Sequence, residues 1–176
     1  MNNEYVFNDK RDIVSYIYNS LTDATPLKLQ KTLYFLWAFY AATYGNIIYD
    51  ANSEFDDETK YPKELFKPAF EAWRYGPVDN EVYGWDKSNK IKDFDNKFGN
   101  KFNKKSDFNA QDKEIKLFMD DLINQIDSIN DFGLVNRSHE DSAYKDVYKD
   151  GGSHIDMIPE EIKKDYIAYV KKQSEI

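Results

Sequence analysis

Apolar residues recur at helical spacing along much of this 176-residue chain. The first stripe sets Ile13, Ile17 and Leu21 four residues apart, with Val14 and Tyr18 beside them, and predicts an amphipathic helix from about 11 to 21. Thr25-Pro26 then marks a second start, because a Thr hydroxyl accepts from a free N–H and Pro at the first helical position loses no hydrogen bond. From there, about 27–44, runs the most apolar stretch of the chain: Leu33 to Ala42 are ten successive apolar residues, closed by Gly45. Apolar on every side yet too short to span a bilayer of about 20 residues, this segment is expected to be the central helix of a bundle. Tyr34, Trp37 and Tyr40 must then find partners for their polar atoms inside it. Ile115, Phe118, Leu122, Ile126 and Ile129 predict a further helix from a cap at Asp107 to about Asn130, and Pro159 opens a last one with Ile162, Tyr166, Tyr169 and Val170 inward. Ser138-His139-Glu140-Asp141 has the form of a capping box, with Asp in place of Glu or Gln, ahead of a short helix through Ala143 and Val147.

Between these stripes the pattern breaks. Ile47-Ile48-Tyr49 suits a short strand, and 68–75 suits an extended segment ended by Gly76-Pro77, with a brief helix from Val78 to Trp85 opened by Pro77. The expected architecture is a mainly α, single-domain bundle over residues 1–176, with at most a short β element near 46–50 and 68–75. Two polar excursions interrupt it, at about 52–67 and 87–106. The first holds Glu54, Asp56, Asp57 and Glu58, four acids in five positions. The second, Lys87–Lys105, carries seven lysines against Asp93 and Asp95, a local balance of +5, with Phe94, Phe98 and Phe102 every four residues. Basic and aromatic residues in alternation are one way to bind single-stranded nucleic acid, but a charge run without a motif reads first as a solvated surface.

Composition narrows the chemistry. With 24 basic and 32 acidic residues the net charge is −8, which argues against a surface built as a phosphate footprint. No cysteine is present, so disulfides, thiolate catalysis and Cys-containing zinc sites are excluded. Met1-Asn2-Asn3-Glu4-Tyr5 has no signal-peptide pattern, so a cytoplasmic protein without membrane association is expected. The two histidines, His139 and His154, are fifteen residues apart and not at the spacing that places two imidazoles on one helix face. Seven glycines form no phosphate-binding loop. Neither metal nor cofactor is therefore expected. Ser138, His139 and Glu140 are adjacent in sequence, which does not make a triad, and a structural histidine or cap is the simpler reading.

The densest constellation is Trp73-Arg74-Tyr75-Gly76-Pro77-Val78, followed by Val82-Tyr83. Gly and Pro fix a turn, the aromatics anchor it, and Arg74 must reach solvent or pair with a carboxylate such as Glu71. As a core corner it needs no further role. As a surface, aromatic and Arg residues are the types that dominate protein–protein binding energy.

Together with Leu29-Gln30-Lys31, Leu33-Tyr34 and Gly45, the Ala72–Val78 segment resembles the Panacea domain, also described as SocA-like or phage-associated GepA-like. Ser138-His139-Glu140 with Tyr144 is similar to that family's closing element, in which Trp more often stands at the Tyr144 position. The likeness runs from about Ile13 to Tyr169, interrupted by the two excursions, and Thr32 replaces the family's usual Leu. It implies a predominantly helical, non-catalytic domain that acts as the antitoxin of a toxin–antitoxin pair, binding a cognate toxin directly or delivering it to a Clp-type protease. Trp73, Arg74, Tyr75, Gly76, Pro77, His139 and Glu140 would form the motif corner, and the acids at 54–58 are a candidate contact for a basic toxin. Two rival expectations stand beside it. One is a phage counter-defence protein that blocks a host immune effector such as a CRISPR complex. The other is an enzyme that uses His139 and Glu140.

Overall fold

The computed structural model describes residues 4–51, 60–149, 152 and 154–175. The predicted central helix is there as α2 (Pro26–Ala42), capped by Thr25, whose Oγ1 accepts from the Lys28 N–H at 3.1 Å. Around it pack α1 (Lys10–Ser20), α5 (Ala110–Asp127), α6 (Asp131–His139) and α8 (Pro159–Ser174). Leu29, Leu33, Leu36 and Ala38 are fully buried, and burying each Leu contributes about 1.5–3 kcal/mol. Its aromatic polar atoms all find acceptors. Trp37 Nε1 donates to Phe66 O at 3.0 Å, Tyr40 Oη to Pro62 O at 2.9 Å, and Tyr34 Oη to Asp141 Oδ2 at 2.6 Å. Segment 61–66 is thereby stitched to the bundle by side chains, since its backbone offers carbonyls where α2 offers donors.

A small antiparallel sheet, in the order β2-β1-β3, covers one end of α2; its strands are β1 (Phe70–Trp73), β2 (Gly76–Asp79) and β3 (Ile155–Asp156). β1 and β2 pair from Phe70 with Asp79 to Trp73 with Gly76, leaving Arg74 and Tyr75 as the turn. Gly76 follows at φ +100°, the left-handed conformation that a glycine supplies after a tight hairpin turn. The short helices α3 (Asn80–Lys87), α4 (Lys97–Lys101) and α7 (Ser142–Lys145) complete the path, and the protein is mainly α with a short β element.

Several local expectations are corrected. Pro77 lies within β2 and does not open a helix; α3 starts after Asp79, whose Oδ1 accepts from the Val82 N–H at 3.1 Å. Ile47-Ile48-Tyr49 forms no strand, for Ile48 stands exposed after a 3₁₀ turn at Tyr44–Asn46 and gains nothing from pairing. Asn109, not Asp107, caps α5, in a reciprocal capping box with Asp112. Ile129 and Tyr169, expected inward, are exposed. Ser138 and His139 end a helix, α6, and do not begin one: the Ser138 hydroxyl donates back to Val135 O at 2.7 Å. In the basic stretch, Phe98 is buried on Phe7 and Tyr16, Phe102 packs on Phe98, and Phe94 on Trp85, so the rings serve the core and the surface is left to lysines. No helix among the described residues is long and apolar enough to cross a membrane.

Candidate functional site

Every element beneath the hairpin turn holds a part of its backbone. From α2, Gln30 receives the Asp79 N–H at Oε1 (2.9 Å) and donates from Nε2 to Asp79 O (3.2 Å), closing the edge of β2 as a third strand would. The next residue, Lys31, donates from Nζ to Pro77 O at 2.8 Å. From α7, Tyr144 Oη donates to Trp73 O at 2.7 Å, and its ring lies flat against His139, centroids 4.6 Å apart. His139 in turn lies against the Arg74 backbone, whose carbonyl favours its protonated form. The sequence segments Leu29-Gln30-Lys31, Ala72–Val78 and Ser138–Tyr144 are thus one structural unit, two sets of side chains gripping the carbonyls of the third.

Gly76 is required twice over. Besides its positive φ, a Cβ at this position would lie 2.4 Å from Ser138 Oγ and 2.8 Å from Lys31 Cε. That closeness lets α2 and α6 seal against the hairpin. Lys31 is 0% exposed as a result, and burial alone lowers its pKa, to about 7. The His139 pKa is lowered as well, first by burial and then by Lys31, against the opposing effect of the Arg74 carbonyl. Two atoms of the corner, Trp73 Nε1 and His139 Nε2, are buried without a hydrogen-bond partner among the described residues.

Above this base the turn is open. Arg74 is exposed with its guanidinium 5.4 Å from the Tyr75 ring, a cation–π contact, and it forms no ion pair with Glu71 among the described residues. Tyr75 is 45% exposed, and its ring meets Phe132, itself 63% exposed, edge-on at 6.4 Å. On the other flank Trp73 is stacked by His154 at 3.7 Å and touched by the exposed Tyr83 at 4.9 Å. Glu140 points to solvent, near the guanidinium of Arg137 at 4.0 Å. The structure therefore gathers Trp73, Arg74, Tyr75, Gly76, Pro77 and His139 at one corner and leaves Glu140 at its edge. Glu54, Asp56, Asp57 and Glu58 lie outside the described residues.

Three contributors escaped the sequence reading. Phe132 sits in a polar run, Asn130-Asp131-Phe132-Gly133, with no periodic partner to flag it. Lys31 stands in the Leu29-Gln30-Lys31 motif, but nothing in the sequence marks its amine as buried beneath the turn. Asp141 reads as a cap, yet it is buried and central: Tyr34 and Tyr166 donate to its Oδ2 at 2.6 and 2.7 Å, and Arg137 to its Oδ1 at 2.8 Å. Burial raises its pKa, and those three donors pull in the opposite direction. No group of His, Cys, Asp and Glu arranged for a metal occurs among the described residues.

These features define a class: a small helical protein that presents a braced hairpin corner. A family model described as "Antitoxin SocA-like, Panacea domain" matches residues 47–145, which contain the hairpin and the α6–α7 supports, and the chain belongs to that family. The Gln30-Lys31 clamp lies just before the matched span. No curated protein and no solved structure shows a significant match to the chain.

Proposed function

We propose that the chain is a non-catalytic antitoxin that neutralises a cognate toxin by direct, stoichiometric contact through the Arg74–Tyr75 corner. The observation that carries this reading is the exposure of Arg74, Tyr75 and Phe132 on a turn whose backbone is held from beneath by Gln30, Lys31 and Tyr144. Binding energy concentrates in aromatic and Arg side chains, and a preorganised turn avoids the entropy of ordering a loop on contact. The family's antitoxin character supports the same direction. Ser138 and His139 fit a structural part in it, since the hydroxyl is bonded to Val135 O and the imidazole is packed on Tyr144. The net charge of −8 suits a basic partner, whose encounter it would accelerate. Delivery of the toxin to a Clp-type protease would begin with the same contact.

Coexpression with the adjacent reading frame tests the reading. The expected result is that the neighbour's product arrests growth alone, that this chain restores growth, and that the two copurify. A harmless neighbour, or two proteins that do not copurify, overturns it.

A further inference from the structure

Lys31 is fully buried and His139 half-buried beneath the turn, and the bracing of the turn does not require either to carry a charge. An ammonium group carries three donors, and Lys31 Nζ has one hydrogen bond among the described residues, to Pro77 O. No carboxylate among the described residues stands against it. From α1 and β2, Lys10 and Asp79 pair with each other at 2.7 Å, and Glu81 of α3 reaches Lys10 at 3.5 Å. From α5, the Asp127 carboxylate is held by Thr22 while its carbonyl accepts from Lys28 Nζ. Arg137, Asp141, Tyr34 and Tyr166 satisfy one another, and Asp165 of α8 accepts the Ala143 N–H. Beside Lys31 lie the Pro77 carbonyl that accepts from it and the Gly76 backbone, with the Ser138 hydroxyl also against Gly76 and His139 near enough for the Lys31 charge to act on it. Protonating both groups would place two like charges beneath the turn with one carbonyl acceptor for the amine.

We propose that the Arg74–Tyr75 hairpin is a proton-sensitive element, whose seating on α2 and α6 is favoured while Lys31 and His139 are uncharged and weakened as they take up protons. Seated, the Lys31 amine is dry; released, it regains water and the ordinary Lys value of about 10.4. Its seated value of about 7 then sets the sign. Between these two values the released state holds the extra proton, so each unit of falling pH favours release by about tenfold. Below about 7 both states hold that proton and Lys31 adds nothing more. His139, lowered in the seated state, takes over below its ordinary value of about 6.5. The element is a property of this chain alone and holds whether or not the corner binds a toxin.

Nuclear magnetic resonance of the full chain, labelled at the lysine Cε carbons and backbone amides, tests this from pH 5.5 to 9.5. One lysine is expected to titrate near pH 7, and its signal to be missing in Lys31→Met. Exchange protection of the amides of Arg74, Tyr75, Gly76 and Val78 should fall roughly tenfold per pH unit from pH 9 to 7 and lose that dependence in Lys31→Met. Lysines that all titrate near 10, or the same pH dependence in Lys31→Met, overturn the proposal. Should Lys31→Met fail to fold, His139→Gln decides: loss of the pH dependence below 6.5 with retention of that above 7 supports the assignment, and an unchanged profile below 6.5 overturns it.

Discussion

Asp141 and Lys31 are two buried ionisable groups on opposite terms with their surroundings. Asp141 accepts from two phenols and a guanidinium, while Lys31 has a single carbonyl among the described residues. A buried ion pair with its hydrogen bonds complete fixes a structure, because removing either side strands the rest. A buried amine with one acceptor is held in place by packing, and its charge is the adjustable quantity. The first arrangement ties α2, α6 and α8 together; the second lies directly under the turn that carries Arg74 and Tyr75.

Breaking the complete set should have the largest effect. Asp141→Ala leaves Arg137 and two phenolic hydroxyls without their shared acceptor and is expected to cost about 3–5 kcal/mol in urea unfolding. Pressing on the sparse set comes next. Gly76→Ala forces a side chain to φ +100° and into Ser138 and Lys31, for a loss of about 2–4 kcal/mol by the same measurement. Gln30→Ala removes both bonds to Asp79 and leaves its buried N–H unpaired, and thermal unfolding should report a cost of about 1–3 kcal/mol. Tyr75→Ala, above both, should shift stability by less than about 0.5 kcal/mol, since its side chain is exposed. An effect on toxin binding without an effect on folding would separate the outer face of the corner from its supports.

The same contrast explains what the sequence made legible. The stripes of α1, α2, α5 and α8 follow from 3.6-residue periodicity, and the corner stood out because Trp, Tyr, Gly and Pro are crowded into five positions. The strand at 76–79 did not, since Pro77 reads locally as a helix start while its real position is set by Gln30 and Lys31 some 46 to 49 residues earlier in sequence. α6 escaped because Leu134 and Val135 give it a single apolar turn, and its burial comes from α2 and β2. The burial of Lys31 and Asp141 escaped for the same reason, although both stand in motifs the sequence displays: a charged residue reads as solvated until the elements that enclose it are assembled.

The central claim, that a turn braced from below presents Arg74, Tyr75 and Phe132 to a protein partner, is tested most directly by the affinity of Tyr75→Ala/Phe132→Ala for the coexpressed toxin by calorimetry. The double variant is expected to fold with native stability and to bind at least about 30-fold more weakly, as for the loss of at least one hot spot. Native affinity in a folded double variant would contradict the account.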